Sequence, residues 1–391
     1  MAVALVALAP FAWAAPLRAK VAPVGFVRVQ MVAGRAAWAV GPGIWTTVDG
    51  GRVWRRRTPP GAGGRLSSWL LSALDAQDAW VAYGSASGPA ETLFVTEDGG
   101  RRWHAHALPM QGALQVDMVT RRVGYLVNEP QGGAMGTTWY QLWRTADGGS
   151  TWSLAASDSA SRTGLVAPRP GQPSLPMGFG PVGVAFLTPT RGFICQLFTA
   201  RGGDACQVTV DGGRRWRGVR LPTPPSLRRV PAYEEYVQWG SAPVVVSPRV
   251  AYLTVAFAPT EAAAQGVALY RSADGGARWR LVHWWRGDVA GLQPFWSFVR
   301  LAFASARTGW AFDPLTSPGA GAPVGAIVTN DGGVVWRPAS LPEPFTPAGP
   351  PSFTTGGRCG LVLLEARGRT YLAATTDQGR TWQLLRPRFV P

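Results

Sequence analysis

The acidic side chains are the groups in this sequence that could carry acid–base catalysis. The chain has 391 residues, of which 22 are aspartate or glutamate. Hydrolysis of a glycosidic bond uses two carboxyl groups that face each other across the scissile bond. Seven aspartates recur at one position of a repeated segment, and no spacing pairs the remaining acidic residues. The leading candidates among the latter are Asp117, Glu129, Glu234, Glu235, Asp288 and Asp313.

The segment YEEY, Tyr233–Tyr236, places tyrosine beside glutamate. A glycosidase can use a tyrosine nucleophile that a nearby glutamate activates, with arginines holding the carboxylate of the sugar. Sialidases carry an aromatic-Arg-Ile-Pro motif near the N-terminus, and its only counterpart here is FVRVQ at residues 26–30, without the Ile-Pro pair. A secreted carbohydrate-active enzyme, sialidase-like or another glycoside hydrolase, is therefore the alternative hypothesis.

Cysteine and histidine form no metal-binding pattern in the sequence. There are three of each, and His104 and His106 lie on one face of a predicted strand without a third ligand. Cys195 and Cys206 flank a predicted hairpin, so they either face each other as a disulfide or remain reduced. Cys359 would then be a leftover buried thiol. We predict no metal site and no cofactor.

An eight-residue segment, [S/T]-x-D-x-G-x-x-W, occurs seven times along the chain, and we call it the box. Its repeat of about 50 residues is typical of propellers and similar arrays. The seven aspartates are Asp49, Asp98, Asp147, Asp211, Asp274, Asp331 and Asp377. The seven tryptophans are Trp54, Trp103, Trp152, Trp216, Trp279, Trp336 and Trp382.

The chemistry of the box predicts a turn. Its aspartate can accept hydrogen bonds from backbone N–H groups of the same turn, and its glycine permits a positive φ. Its tryptophan begins a strand and can bury a large apolar ring between neighbouring sheets. A catalytic group would not be needed in seven copies around a ring, so we interpret the box residues as structural.

Each box is preceded by a strand-like segment that places a small residue before a large apolar one, as in Ala37-Trp38 and Gly124-Tyr125. Further strand-like runs complete four strands per repeat. The sequence therefore predicts an all-β, seven-bladed β-propeller of four-stranded antiparallel blades, with the box as the turn between the third and fourth strands. It forms one domain over residues 24–388, with the tail RPRFVP outside the ring.

Charge and the N-terminal segment suggest where the protein acts. The net charge is +16, and Lys20 is the only lysine. No nucleic-acid-binding motif accompanies the scattered arginines, so we predict no nucleic-acid partner. Residues 1–14 form an apolar run that ends in an A-x-A-like site, which predicts a signal peptide cleaved after Ala14. We expect an exported, monomeric protein.

The box and its upstream segment resemble the Asp-box (BNR) propellers, and in particular the photosystem II stability/assembly factor-like group. That resemblance implies a seven-bladed, non-enzymatic protein. Members in photosynthetic organisms help to assemble the photosystem II reaction centre. It therefore implies a scaffold that binds a protein partner, which in a photosynthetic host would be a membrane-protein complex.

Long blade-to-blade connections mark the propeller face opposite the boxes as the predicted binding face. Two of them, residues 221–243 and 282–296, are rich in aromatic residues and arginine, the residue types of interaction hot spots. The candidate partner-binding residues are Arg228, Arg229, Tyr233, Tyr236, Trp239, Trp284, Trp285 and Arg286. Packing of these aromatics onto the ring is the alternative. Box arginines are expected to form a solvated basic collar: Arg52, Arg101, Arg102, Arg214, Arg215, Arg278 and Arg380.

Overall fold

A computed structural model describes residues 22–60, 62, 69–83, 92–129, 140–158, 174–175, 181–196, 204–229, 237–258, 266–286, 300–312, 326–354 and 356–391. These residues form seven sheets, and within each the main strands pair in antiparallel order along the chain. First strands of neighbouring blades contact one another, and the first blade also contacts the last. The predicted all-β, seven-bladed propeller is confirmed.

Blades 1 to 3 contain the first thirteen strands. Blade 1 has β1 (Arg28–Met31), β2 (Ala37–Gly41), β3 (Gly43–Thr47) and β4 (Val53–Arg56). Blade 2 has β5 (Trp69–Ala73), β6 (Ala79–Tyr83), β7 (Thr92–Thr96) and β8 (His104–Ala107). Blade 3 has β9 (Ala113–Met118), β10 (Gly124–Asn128), β11 (Gln141–Thr145), β12 (Ser153–Asp158) and a short parallel strand on β12, β13 (Ser174–Leu175).

Blades 4 to 7 follow the same order. Blade 4 has β14 (Pro181–Phe186), β15 (Gly192–Gln196), β16 (Cys206–Thr209) and β17 (Arg217–Gly218). Blade 5 has a first strand in two pieces, β18 (Val237–Gly240) and β19 (Val244–Val245), then β20 (Ala251–Ala258), β21 (Gly266–Ser272) and β22 (Arg280–Arg286). Blade 6 has β23 (Leu301–Phe303), β24 (Gly309–Phe312), β25 (Ala326–Thr329) and β26 (Arg337–Pro338). Blade 7 has β27 (Thr346–Pro347), β28 (Ser352–Phe353), β29 (Gly360–Ala366), β30 (Arg369–Thr375) and β31 (Gln383–Leu384).

The C-terminal tail belongs to the first blade. Strand β32 (Arg388–Val390) pairs in parallel with β4 and becomes the fifth strand of that sheet. Phe389 packs edge-on against Phe26 and Trp45, at ring-centroid distances of 5.8 and 5.1 Å. The expectation that RPRFVP lies outside the ring is therefore wrong, because these residues close the ring by joining its first sheet.

Each seam between neighbouring blades is filled by one apolar cluster. Successive side chains of a strand point to opposite faces of its sheet, so each second strand contributes to two seams. In β20, Leu253 packs toward blade 4 and Tyr252 toward blade 6. One box tryptophan enters each of the seven clusters, from Trp54 at the seam between blades 7 and 1 to Trp382 between blades 6 and 7.

The small residue at the start of each second strand makes room for the side chain opposite on the first strand. A Cβ on Gly192 would lie 2.5 Å from the ring of Phe186, and one on Gly309 would come equally close to Phe303. At Ala251 in blade 5, alanine takes this position and the facing residue is the smaller Val245. The large residue that follows is buried in all seven blades: Trp38, Trp80, Tyr125, Phe193, Tyr252, Trp310 and Leu361.

The seven boxes share one hydrogen-bond pattern. The Ser or Thr hydroxyl donates to the aspartate Oδ1 at 2.7–3.0 Å and accepts from the second glycine N–H at 2.7–3.1 Å. The same Oδ1 accepts the N–H four residues on, at 2.9–3.0 Å. The two residues that directly follow the aspartate have positive φ in every box, including Gln378 at 65° in the last one.

A second set of contacts joins the innermost strands, and it divides the seams into two kinds. At four seams a polar side chain accepts a backbone N–H of the next blade, and we call these the polar seams. The pairs are Ser352 with Met31 at 2.8 Å, Gln30 with Ala73 at 3.1 Å, Ser72 with Met118 at 2.9 Å and Asp117 with Phe186 at 3.2 Å. The equivalent residues of blades 4, 5 and 6 are Ala185, Val244 and Ala302, and we call the seams that follow them apolar.

Candidate functional site

The box and the turn between the first and second strands lie on the same side of every blade. The backbone N–H of the residue at the box's fourth position donates to a carbonyl of that first turn at 2.7–3.0 Å in all seven blades. Gly50 to Arg35 in blade 1 and Gln378 to Arg358 in blade 7 are examples. We call the surface formed by the boxes and these first turns the box face.

The box face is rich in exposed arginine. All seven box arginines predicted for the collar are exposed. Five further arginines occupy the first-turn position whose carbonyl accepts this hydrogen bond, and all of these are exposed as well: Arg35, Arg122, Arg249, Arg307 and Arg358. These five were not recognised in the sequence, although each lies three residues before the large buried residue of its second strand.

The carboxylates of the box face are turned toward the backbone. Hydrogen bonds from the Thr151 hydroxyl and backbone hold the pKa of Asp147 at about 2, and the backbone N–H of Arg278 lowers the pKa of Asp274. In the described part of the chain, ion pairs involve only Arg102 with Asp98 and Arg121 with Asp75 and Asp78. The box aspartates are ionised and offset part of the arginine charge, but the seven collar arginines and five first-turn arginines, twelve in all, outnumber the seven box aspartates, so a positive excess remains on this face.

Much of the patch predicted on the opposite face lies outside the described residues. Tyr233 and Tyr236 are not described, and only the backbone is described for Arg229, Trp239 and Arg286. Arg228 is exposed in a short 3-10 helix, Leu227–Arg229. The structure does not bring these residues together as a described site, so the patch stays a prediction.

The two adjacent tryptophans of the patch are packed into the ring. Trp285 is 7% exposed and lies 5.6 Å from Trp336 between ring centroids, in the seam between blades 5 and 6. Trp284 is half-buried against Phe257 in the seam between blades 4 and 5. Residues 282–286 belong to β22, so the connection predicted from residue 282 begins later than expected. The alternating apolar run RLVHWW was the signal for this strand.

Asp117 is a described acidic residue whose pKa is strongly raised. Burial raises its pKa to about 6, against the opposing effects of the Phe186 N–H and of Arg28. Its charged neighbour is thus an arginine. Burial also raises the pKa of Glu129. The other enzyme candidates, Tyr233, Glu234, Glu235, Asp288 and Asp313, lie outside the described residues.

Cysteine and histidine have structural environments where the chain is described. Strand pairing sets Cys195 opposite Cys206, and the two sulfurs are bonded. The Nδ1 atom of His283 lies 2.9 Å from the carbonyl oxygen of Val334. The described residues contain no cluster of three His, Cys, Asp or Glu side chains suited to a metal. They also contain no helix of the length and apolarity needed to span a bilayer.

Comparison with solved structures shows the fold. The sequence matches no protein-family model and no curated protein sequence. A structure of YCF48 bound to a D1 peptide is 13% identical, with a TM-score of 0.53, and the match covers 92% of this chain and 93% of that one. A GH74 xyloglucanase from Xanthomonas campestris is 16% identical, with a TM-score of 0.59, covering 95% of this chain and 54% of that one. An oligogalacturonate lyase from Vibrio parahaemolyticus is 8% identical, with a TM-score of 0.58, over 91% and 90%.

Proposed function

We propose that this protein is an exported, non-enzymatic propeller that binds an acidic protein partner through its box face. The observation that carries the proposal is the repeated exposed arginine of that face, where the twelve exposed arginines outnumber the seven box aspartates. Such a surface attracts and orients an acidic partner over about a Debye length. This assignment differs from the face favoured by the sequence, where the long connections suggested binding.

Two further observations support the proposal. The likeness to YCF48 bound to a D1 peptide extends over nearly the full length of both chains, whereas the xyloglucanase match spans about half of that enzyme. A subunit of photosystem II is accordingly the partner we would test first in a photosynthetic host. The disulfide within blade 4 favours an oxidising compartment, in keeping with export after cleavage of the predicted signal peptide.

Affinity capture with charge-reversed variants tests this function. One variant changes Arg52, Arg278 and Arg358 to glutamate on the box face. The matched control changes Arg367 and Arg369, exposed residues of the turn between β29 and β30, on the opposite face. We expect a specific partner to be captured by wild type and by the control at low salt, and to be lost with the box-face variant. If the box-face variant captures the partner as well as wild type does, the proposal is contradicted.

A glycoside hydrolase remains the second candidate, and Asp117 is the observation that favours it. A carboxyl with a pKa of about 6 near the ring axis is suited to act as a general acid. Turnover of sialyl or β-glucan substrates that disappears in Asp117→Asn or Glu234→Gln would establish this function in place of the scaffold.

A further inference from the structure

A cleft of about 590 Å³ opens between blades 1 and 2 beside the box face. Its walls come from the boxes of these two blades and from the C-terminal strand β32. Four arginines from three separate segments line it: Arg55 and Arg57, Arg101, and Arg388. Arg388 reaches the cleft because its N–H donates to the carbonyl of Arg52 at 2.9 Å. The tail thus adds a fourth guanidinium to a cleft of ligand-binding size.

The acidic residues of the cleft do not balance these arginines. Asp49 and Asp98 also line it, but each is engaged by its own box. Asp98 additionally pairs with Arg102, at 2.9 Å. Within the described chain, none of the four lining arginines forms an ion pair with a carboxylate. The two aspartates keep their negative charge, so the four arginines leave an excess of positive charge in the cleft.

Arg57 gives the cleft a fixed and unsatisfied donor. Its Nε atom is buried and has no hydrogen-bond partner among the described residues. Its backbone carbonyl accepts the Trp103 indole N–H at 2.7 Å. Its stem lies over Gly100, where a Cβ would come within 2.8 Å of the Arg57 Cβ. A buried donor held in one place without an acceptor costs free energy that a bound acceptor would recover.

We propose that this cleft binds a ligand bearing phosphate-type tetrahedral oxyanions. A phosphate group carries up to two negative charges and several acceptor oxygens, which suits convergent guanidinium groups better than a single carboxylate does. The group could come from free phosphate or from a phosphate ester on a larger molecule. The cleft overlaps the box face at the boxes of blades 1 and 2, but its test does not depend on a protein partner.

Calorimetric titration with inorganic pyrophosphate tests the site. We expect saturable binding that weakens about tenfold in Arg55→Gln and in Arg388→Gln, because each loses a charged hydrogen bond. The matched control is Arg217→Gln, since Arg217 follows the box tryptophan of blade 4 as Arg55 follows that of blade 1, and is likewise exposed. Absence of saturable binding, or equal weakening in the control, would overturn the proposal.

Thermal unfolding provides a second readout that identifies the source of the anion. Pyrophosphate should raise the Tm of wild type, and Arg57→Met should abolish that rise while leaving the Tm without ligand unchanged or higher. If glucose 6-phosphate raises the Tm more than inorganic phosphate does, the cleft accepts phosphate esters. If inorganic phosphate raises the Tm by the same amount, the cleft accepts the free ion. A Tm rise that persists in Arg57→Met would count against the proposed site.

Discussion

The polar and apolar seams join equivalent elements of the ring by different means. In the polar seams, side chains such as Ser72 bind the backbone of the next blade, and this directional contact fixes the position of the innermost strands. In the apolar seams, alanine and valine leave cohesion to packed rings, as where Phe193 meets Trp279 at 5.3 Å. Repetition therefore fixes the turns, the second strands and the packed cluster of every seam, whereas the hydrogen bond between the innermost strands is present in some seams and absent from others.

Truncation of a ring in an apolar seam should have the largest effect. Phe193 is fully buried between blades 4 and 5, and Phe193→Ala would leave a cavity there. We expect the free energy of unfolding to fall by about 3–5 kcal/mol in urea titration. The control Val210→Ala removes a half-exposed side chain and should change stability by less than about 0.5 kcal/mol. A small effect of Phe193→Ala would show that packing does not hold this seam.

Overpacking inside a blade should come next in size. In Gly192→Ala the new Cβ would collide with the Phe186 ring, at a cost of about 1–3 kcal/mol. Adding Phe186→Val should recover much of the loss, because the pair then matches Ala251 and Val245 of blade 5. Thermal unfolding of the single and double variants measures this. Failure of the second change to rescue the first would contradict our explanation of the small residue.

Removal of a seam hydrogen bond should cost less. Ser72→Ala leaves the Met118 N–H without its acceptor, and Ser352→Ala does the same to Met31. Each change should lower the free energy of unfolding by about 1–2 kcal/mol. Ser150→Ala, which removes an exposed box hydroxyl, serves as the control and should have little effect. If the three variants behave alike, the polar seams do not depend on these contacts.

The seam between blades 3 and 4 should depend on pH. Asp117 has a pKa raised to about 6, so its contribution to stability is fully present below the ordinary pKa of about 4 and is lost as the pH rises through 6. Relative to Asp117→Asn, wild type should therefore lose stability between about pH 4 and pH 6. Unfolding titrations across that range test the sign, and a relative gain would contradict it. The box aspartates have lowered pKa values, and their contribution is lost only as the pH falls from about 4 toward 2.

Local chemistry explains which parts of the fold could be predicted. The eight residues of each box include the hydroxyl, the carboxylate and the glycine that close its turn. The small residue and the large residue at the start of each second strand likewise act locally, between adjacent strands. Strand β32 could not be foreseen, because its three residues pair in parallel with β4 at the other end of the sequence. The hydrogen bonds of the polar seams could not be predicted either. The equivalent first-strand position holds Ser72 in blade 2 and Ala185 in blade 4, and no sequence pattern distinguishes the two kinds of seam.

The candidate surfaces likewise divide into features set by a local sequence pattern and features that depend on residues far apart in the chain. The box arginines were visible at their repeated position, and the first-turn arginines could have been found from their fixed offset before Trp38 and its equivalents. The cleft between blades 1 and 2 could not, because Arg388 reaches it only through the pairing of the C-terminal strand. Trp285 was misleading for a related reason, since a tryptophan in an aromatic-rich segment can equally fill a seam.

Photo-crosslinking in the native host tests the proposed partner surface most directly. A photoreactive phenylalanine analogue would replace Arg52, Arg278 or Arg358 on the box face, and Arg367 or Arg369 on the opposite face. The account predicts a discrete adduct with one protein from the box-face positions, weakened by high salt before irradiation, and none from the opposite face. Adducts from the opposite face alone, or none from any box-face position, would contradict the proposal that the box face binds the partner.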